Sequence, residues 1–307
     1  MLENQILFSV TIPSYNRPQT LTNCLQSLAN LDYDHKSFEV IVVDDGSKIP
    51  LDTVVLKAFQ TQFNLTLISQ INAGPATARN TGAKQARGKF LAFLDDDCTP
   101  KNNWLQVLES YLIASPDDLI GGCTINAIPE NIYATASQAL LDYIYASYDN
   151  KTKFPQFFTS NNIALSTENF WSVGGFDTNF PLAAAEDREF CDRLLSHNYK
   201  IKYAEEAIVY HAHDLTLTTF YLQHFNYGRG AFLFHKIYSQ RHPQQKSIQP
   251  WSFYLKLLTY PLTKQYSQSA VLLCFLILLS QIATTIGIIT EKLLFQKIFN
   301  LQQIKNV

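Results

Sequence analysis

Four short apolar runs end, one after another, in polar clusters, and this repeated pattern constrains the fold more than any other feature of the 307-residue chain. Residues 7–12 stop at Pro13 and open into Ser14-Tyr15-Asn16-Arg17; 38–43 stop at Asp44-Asp45-Gly46-Ser47; 65–68 are followed by Asn72 and Gly74; 90–94 run into Asp95-Asp96-Asp97. Apolar, partly β-branched runs bounded by turn residues predict strands, and the second run, apolar after Glu39, has the pattern of a strand buried on both faces. Between them lie helix-prone stretches: 18–29 with Leu21, Leu25 and Leu28 on one face, 51–59, 76–86 with Pro75 in its first turn and Gly88 as its stop, and 100–115 opened by Pro100. Strands alternating with helices over the first 120 residues predict an α/β fold with a mostly parallel sheet and right-handed crossovers. Ligands on such sheets bind at the strand C-termini where strand order reverses, so the four polar clusters would meet on one rim.

The rest of the chain is less regular. Residues 121–155 show no firm period and predict irregular connections around a helix over 134–145. A strand is expected over 157–165, a helix capped by Ser166 through 173, an exit turn at Gly174-Gly175-Phe176-Asp177, a helix from Glu186-Asp187 to about 197, and a short strand over 207–211. An amphipathic to apolar helical region fills the remainder.

Composition narrows the function classes. With 47% apolar residues the chain can fill a substantial core, which excludes intrinsic disorder. A net charge of −2 supplies no basic field for a nucleic-acid backbone, so no nucleic-acid partner is expected. The five cysteines are scattered and odd in number, without metal-site spacing, which fits a reducing compartment. The first five residues carry an acid where a secretory signal needs Lys or Arg, so the catalytic part is expected in the cytosol. Nothing between Lys264 and Glu291 is charged, and 270–289 has the length that crosses a bilayer. Ser280, Gln281, Thr284 and Thr285 weaken the signal; the balance favours a spanning or re-entrant helix over a core or interfacial one. The aromatic and Lys-bearing stretch 251–258 resembles a segment lying at a membrane interface, and Lys residues on both sides leave the orientation open. The expected division is a catalytic domain over 1–240 and a helical, membrane-associated region over 241–307.

Three consecutive carboxylates after a buried strand repel one another unless solvated or bound to a hard cation, and Mg²⁺ or Mn²⁺ would take such oxygens while leaving positions for a diphosphate. Asp44-Asp45-Gly46 is ordinary turn chemistry, yet carboxylates at a sheet rim also accept bonds from a base or ribose. Glu186-Asp187 suits a helix start electrostatically, and an acidic pair also raises the pKa of one member, as a general base near neutral pH requires. His211 and His213 alternate so as to share one strand face, where an imidazole could complete a metal shell.

Taken together, Thr11-Ile12-Pro13-Ser14-Tyr15-Asn16-Arg17, Val42-Val43-Asp44-Asp45-Gly46-Ser47, 72–82, Phe93-Leu94-Asp95-Asp96-Asp97, Gly174-Gly175-Phe176-Asp177 and Glu186-Asp187 resemble the family 2 glycosyltransferases of the GT-A fold. The resemblance covers roughly 6–213, and the apolar C-terminal region looks like the membrane appendage of many bacterial members. It implies inverting transfer of a sugar from a nucleotide-sugar, most often a UDP-sugar, to a saccharide or lipid-linked acceptor at the cytoplasmic face of the cell membrane. On this resemblance Pro13, Tyr15, Arg17, Asp44, Asp45, Asn72, Gly74, Arg79, Asp95 and Asp96 line the donor site. Asp97, Asp95 and His211 form the Mn²⁺ or Mg²⁺ set, with Asp97 as the direct ligand. Asp187 is the base, supported by Glu186. The Gln-x-x-Arg-Trp pattern of processive polymerases does not follow Glu186-Asp187, which implies single addition. The rival readings are a non-catalytic nucleotide-sugar binder of the same fold, a sugar nucleotidyltransferase, which should carry a Gly-rich basic loop where Pro13–Arg17 stands, and a glycoside hydrolase, which needs no metal.

Overall fold

The computed structural model describes residues 6–48, 51, 53–147, 157–180, 182, 184–244 and 249–305. The four apolar runs form β1 (Phe8–Ser14), β2 (Phe38–Asp44), β3 (Asn64–Ser69) and β4 (Phe90–Leu94), with α1 (Pro18–Ala29), α2 (Thr53–Gln60) and α3 (Pro75–Gln85) as crossovers. Every residue of β2 and β4 is buried, as continuous apolar runs covered by helices on both faces require. Beyond them come β5 (Cys98–Pro100), α4 (Trp104–Ala114), β6 (Leu119–Asn126), α5 (Ile132–Ser147), β7 (Asn162–Ser166), α6 (Thr167–Ser172), α7 (Glu186–Ser196) and β8 (Ile201–His211). The chain closes with α8 (Leu217–Arg241), α9 (Trp251–Thr259), a 3-10 turn over Tyr260–Thr263 and α10 (Ala270–Lys305).

The strands make one sheet in the order β3-β2-β1-β4-β7-β6-β8-β5. The first four are parallel, β7 runs antiparallel to β4 and to β6, and β5 antiparallel to β8, so six of the eight strands share one direction and the sheet is mostly parallel, as expected. β8 runs parallel to β6 and therefore ends at the same rim as β1 to β4. Strand order reverses beside β1, which places the crevice between Ser14 and the residues after β4.

Four expectations need correction. Pro100 opens no helix: it sits in β5 at the sheet edge, where a residue without an N–H is tolerated, and α4 begins at Trp104. Residues 121–126, within the stretch expected to be irregular, belong to β6. Their pattern is masked by Gly121 and Gly122, whose added Cβ atoms would stand 2.0 Å from the Phe158 ring and 2.3 Å from the Ala207 carbonyl, so close packing demands glycine there. The strand expected over 157–165 starts only at Asn162, and that over 207–211 begins at Ile201. Part of the irregular stretch, 148–156, lies outside the described residues.

The aromatic core beneath the site joins Phe93 of β4, Phe170 of α6, Phe176 and Phe190 of α7, with ring centroids 4.7 to 5.7 Å apart. Phe190 stands one turn beyond Glu186, so burying the ring fixes the first turn of α7. At the other end, α10 is longer than the 270–289 segment and continues through Glu291 and Lys292. Leu273 and Leu276 pack with Ala136 of α5 and Phe220 of α8, and Ile277 packs with Ala139, Tyr143 and Leu257.

Candidate active site

The rim is assembled by charge pairing across the reversal point. Ser14 at the end of β1 donates to Asp96 Oδ2 (2.8 Å), while Arg17 Nη1 reaches Asp97 Oδ2 (2.7 Å) and Asp96 Oδ1 (3.3 Å). On the far side His211 Nε2 lies 3.2 Å from Asp97 Oδ1. The repulsion expected among the three carboxylates is thus relieved by splitting them among different cations. Burial raises Asp97, but His211 and Arg17 outweigh it and hold its carboxyl well below the usual range. Burial, reinforced by Asp97 and only partly offset by Arg17 and Ser14, pushes Asp96 up to about 7. Asp97 also outweighs burial on His211 and raises it, whereas burial and the charge of His211 push His213 down to about 4. The two imidazole rings lie side by side, 4.9 Å between centroids.

Asp95 turns the other way. Its Oδ1 accepts from Arg79 Nη2 (2.7 Å), and Arg79 Nη1 donates to Glu186 Oε1 (3.1 Å). Arg79 is buried on α3, and one guanidinium therefore links the carboxylate cluster after β4 to the acidic pair that opens α7. The helix start is held from below: Asn80 donates to the Phe176 carbonyl and accepts from its N–H, which fastens α3 to the Gly174-Gly175 turn. Both glycines have positive φ, +88° and +71°, a region that favours glycine. Burial and then the Asp187 charge lift Glu186 to about 7 against the opposing pull of Arg79. Burial also raises Asp187, opposed by the Arg188 N–H that donates to its Oδ1 and by the Arg188 charge. This is the condition under which a carboxylate accepts a proton near neutral pH.

The other residues singled out in the sequence shape the rim. Asp45 accepts from Gln70 Nε2, Asn72 Nδ2, and the N–H groups of Ala73 and Gly74, and so ties the loop after β3 to the end of β2. Asp44 accepts from the Ser47 N–H and closes the turn after β2. Pro13 is half-buried in β1, and Tyr15 presents an exposed ring where the polar loop begins. Three contributions escaped the sequence reading. Cys98 places its sulfur beside Asp97; Gln223 and Tyr227 of α8 form a hydrogen bond of 2.6 Å, with burial and the charges of Asp187, Glu186 and Asp95 raising the Tyr227 phenol. No local pattern on α8 points to them, because their position depends on how a distant helix docks.

The chemistry of the donor set fits a divalent cation. Ligating atoms of Asp97, Cys98 and His211 lie within 4.8 Å of one another; Asp95, on Arg79, is not in that group. Burial and the neighbouring Asp97 and Asp95 keep the Cys98 thiol protonated, well above its usual value, which leaves one carboxylate and one imidazole as donors. One carboxylate and one imidazole could hold a divalent cation and would leave most of its coordination positions to other ligands.

Comparison with known proteins decides the family. The family model described as glycosyl transferase family 2 matches residues 9–173, more than half of the chain. The chain belongs to glycosyl transferase family 2. A second model, described as the N-terminal domain of galactosyltransferase, matches 141–214 and includes the acidic pair and His211. The family 2 chain is 30% identical over 211 residues to glycosyltransferase AglE of Haloferax volcanii, covering 66% of each chain. It is 29% identical over 231 residues to the validoxylamine A glucosyltransferase of Streptomyces hygroscopicus subsp. limoneus, covering 66% of this chain and 50% of that one. The chain thus spans from half to just under two thirds of these relatives. Among solved structures, the mannosyltransferase PcManGT of Pyrobaculum calidifontis in complex with GDP-Man and Mn²⁺ superimposes with a TM-score of 0.60 over 90% of this chain and 73% of that one, at 17% identity. TarS 1–349 of S. aureus in complex with UDP-GlcNAc gives 0.55 over 95% and 92%, also at 17% identity. The likeness establishes the GT-A fold expected from the sequence.

Proposed function

We propose that the chain transfers a sugar from a nucleotide-sugar donor, a UDP-sugar, to a saccharide or lipid-linked acceptor, with inversion at the anomeric carbon. The observation that carries this reading is the Arg79 bridge, which puts the Asp95–Asp97 cluster and the Glu186-Asp187 pair on one rim through a single buried guanidinium. The donor lies along that rim: Pro13 and the exposed Tyr15 ring take the base, Asp44, Asp45, Asn72 and Gly74 shape the nucleoside pocket, and Arg17, Arg79, Asp95 and Asp96 border the ribose and diphosphate. Arg79 Nε is buried without a hydrogen-bond partner among the described residues, the kind of donor that a bound anion satisfies. Asp97 and His211 hold the divalent cation, Mn²⁺ in preference to Mg²⁺. That ion, when bound, offsets the charge that builds on the departing nucleoside diphosphate.

Asp187 takes the proton of the acceptor hydroxyl. The acceptor oxygen bonds to the anomeric carbon on the face opposite the diphosphate, the sugar–phosphate bond breaks, and its electron pair leaves with the nucleotide. Glu186, held by Arg79, keeps Asp187 oriented, and no covalent sugar–enzyme intermediate is needed. The catalytic unit spans 1–240, and 241–307 associates with a membrane at its cytoplasmic face. The neighbouring structures carry GDP-Man in one case and UDP-GlcNAc in the other, so the base is a matter for experiment. A thermal-shift titration with UDP and GDP, each with and without Mn²⁺, tests the reading: a stabilising shift with UDP that needs the metal is expected, because a ligand of the native state raises stability by mass action. Absence of a shift with either nucleotide contradicts it, and a GDP-only shift overturns the donor base.

A further inference from the structure

α10 is apolar on both faces. The face it turns to the protein carries Leu273, Leu276, Ile277, Ser280, Ala283 and Gly287, while the outward face carries Val271, Phe275, Leu278, Ile282, Ile286 and Ile289 at helical spacing. Val271 is 71% exposed, Phe275 59% and Leu293, where the stripe ends, 60%. Thr285, which interrupts the face, donates its hydroxyl to the Gln281 carbonyl and so presents little free polarity. From Val271 to Leu293 the stripe is about 33 Å long at 1.5 Å per residue. A surface helix of a water-soluble protein turns polar residues outward; this one buries one apolar face and exposes a second.

The inward face is fixed from Leu273 to Phe295 by parts of the catalytic fold. The first half packs on α5 and α9, and α5 is tied to β6 by Gln138 Nε2 donating to the Thr124 carbonyl. The second half lies in near backbone contact with α8: a Cβ at Gly228 would stand 2.0 Å from the Thr284 carbonyl, and one at Gly287 2.0 Å from the Phe225 carbonyl. Arg229 Nε pairs with Glu291 (2.6 Å), and the Lys236 ammonium sits 3.6 Å from the Phe295 ring centroid. α8 is itself pinned to α7 by Arg241, which bonds Glu189 (2.8 Å) and Asp192. If α10 crossed a bilayer, α8 would follow it and carry Arg229 and Lys236 into hydrocarbon, at a cost of several kcal/mol.

The border of the stripe says what covers it. Trp251, 86% exposed, and Leu255 continue the apolar surface onto α9 beside the exposed Lys256 and Lys264, and Lys292 and Lys297 stand exposed at the far end. Glu291, the single acid after residue 242, is turned inward onto Arg229. Apolar surface rimmed by aromatic residues and exposed lysines matches an anionic lipid surface.

From the exposed apolar stripe of α10, its side-on anchorage to α5 and α8 and the Trp/Lys border, we infer that α9 and α10 lie flat in one leaflet of an anionic bilayer, and that α10 does not cross it. This rests on the membrane association proposed above and replaces the spanning helix favoured by the sequence. Flotation of the full chain with phosphatidylcholine vesicles, with and without phosphatidylglycerol, reads the docking. Binding that rises with phosphatidylglycerol is expected. The double variant Ile282→Asp/Ile286→Asp should bind at least about tenfold more weakly while its melting temperature stays unchanged, and Lys256→Gln/Lys264→Gln should lose the preference for the anionic lipid. In inverted membrane vesicles, protease should remove tags from both the N- and the C-terminus. No flotation, a C-terminal tag protected while the N-terminal one is cleaved, or a dimer in solution that Ile282→Asp/Ile286→Asp dissociates would overturn the inference, the last by making a second copy the occupant. Loss of the nucleotide shift with flotation intact would instead count against the transferase reading alone.

Discussion

Arg79 is the residue on which the two halves of the site depend. It is buried, pairs with both Asp95 and Glu186, and lies against the Phe176 ring at 5.6 Å. Truncating it leaves two carboxylates short of a partner, so Arg79→Ala is expected to lower unfolding free energy by roughly 3–5 kcal/mol, measured by urea denaturation. Asp187 behaves differently because its hydrogen bond to the Arg188 N–H survives an amide. Asp187→Asn should leave the nucleotide-induced thermal shift in place and reduce transfer by about 10²–10⁴-fold. Asp97→Ala should do the reverse at the binding step and abolish the metal-dependent part of the shift; retention of that part would remove Asp97 from the metal set. The residues themselves were legible: buried runs ending in Asp44-Asp45 and Asp95-Asp96-Asp97 can only place carboxylates at a rim. Their partners were not, because whether Asp95 faces a cation site or Arg79 depends on the docking of α3 and α7, which no local spacing encodes.

At the scale of elements, the first four strands and α1 follow from apolar runs or a single apolar face, whereas α3 is bounded by Pro75 and Gly88 rather than marked by an apolar stripe. β6 escaped because Gly121 and Gly122 remove the side chains that make a strand recognisable, although packing against Phe158 and Ala207 requires their absence. β5 escaped because Pro100 is a good first helical residue and an equally acceptable edge-strand residue. The helix over 270–289 was legible as apolar, but its sidedness was not, because an apolar helix reads alike whether lipid or protein covers it. Its docking on α8 makes a specific demand: Gly228→Ala puts a methyl against the Thr284 carbonyl, with backbone on both sides and no flexible side chain to yield. The expected cost is about 1–3 kcal/mol in urea denaturation, and an unchanged midpoint would mean that the helices do not approach as described.

For the whole molecule, the buried acidic pair couples stability to pH. Glu186 is raised from 4.5 to about 7, so the folded state holds its proton more tightly than the unfolded chain does. Its contribution is fully present below about pH 4.5 and is lost as pH rises through about 7. Glu186→Gln removes that dependence, and its stability relative to wild type should therefore improve steadily between these limits in urea denaturation; a constant difference would show that Glu186 titrates normally. The same pair and the proposed cation site at Asp97 and His211 must act on one bound donor.

Nucleotide release from UDP- and GDP-sugars, followed with and without Mn²⁺ in wild type and Asp187→Asn, tests this most directly. Metal-dependent release by wild type from a UDP-sugar, lost in Asp187→Asn while that variant still binds UDP, is the predicted result. Release by Asp187→Asn at the wild-type rate, or cleavage of an unactivated glycoside by wild type without metal, would contradict it.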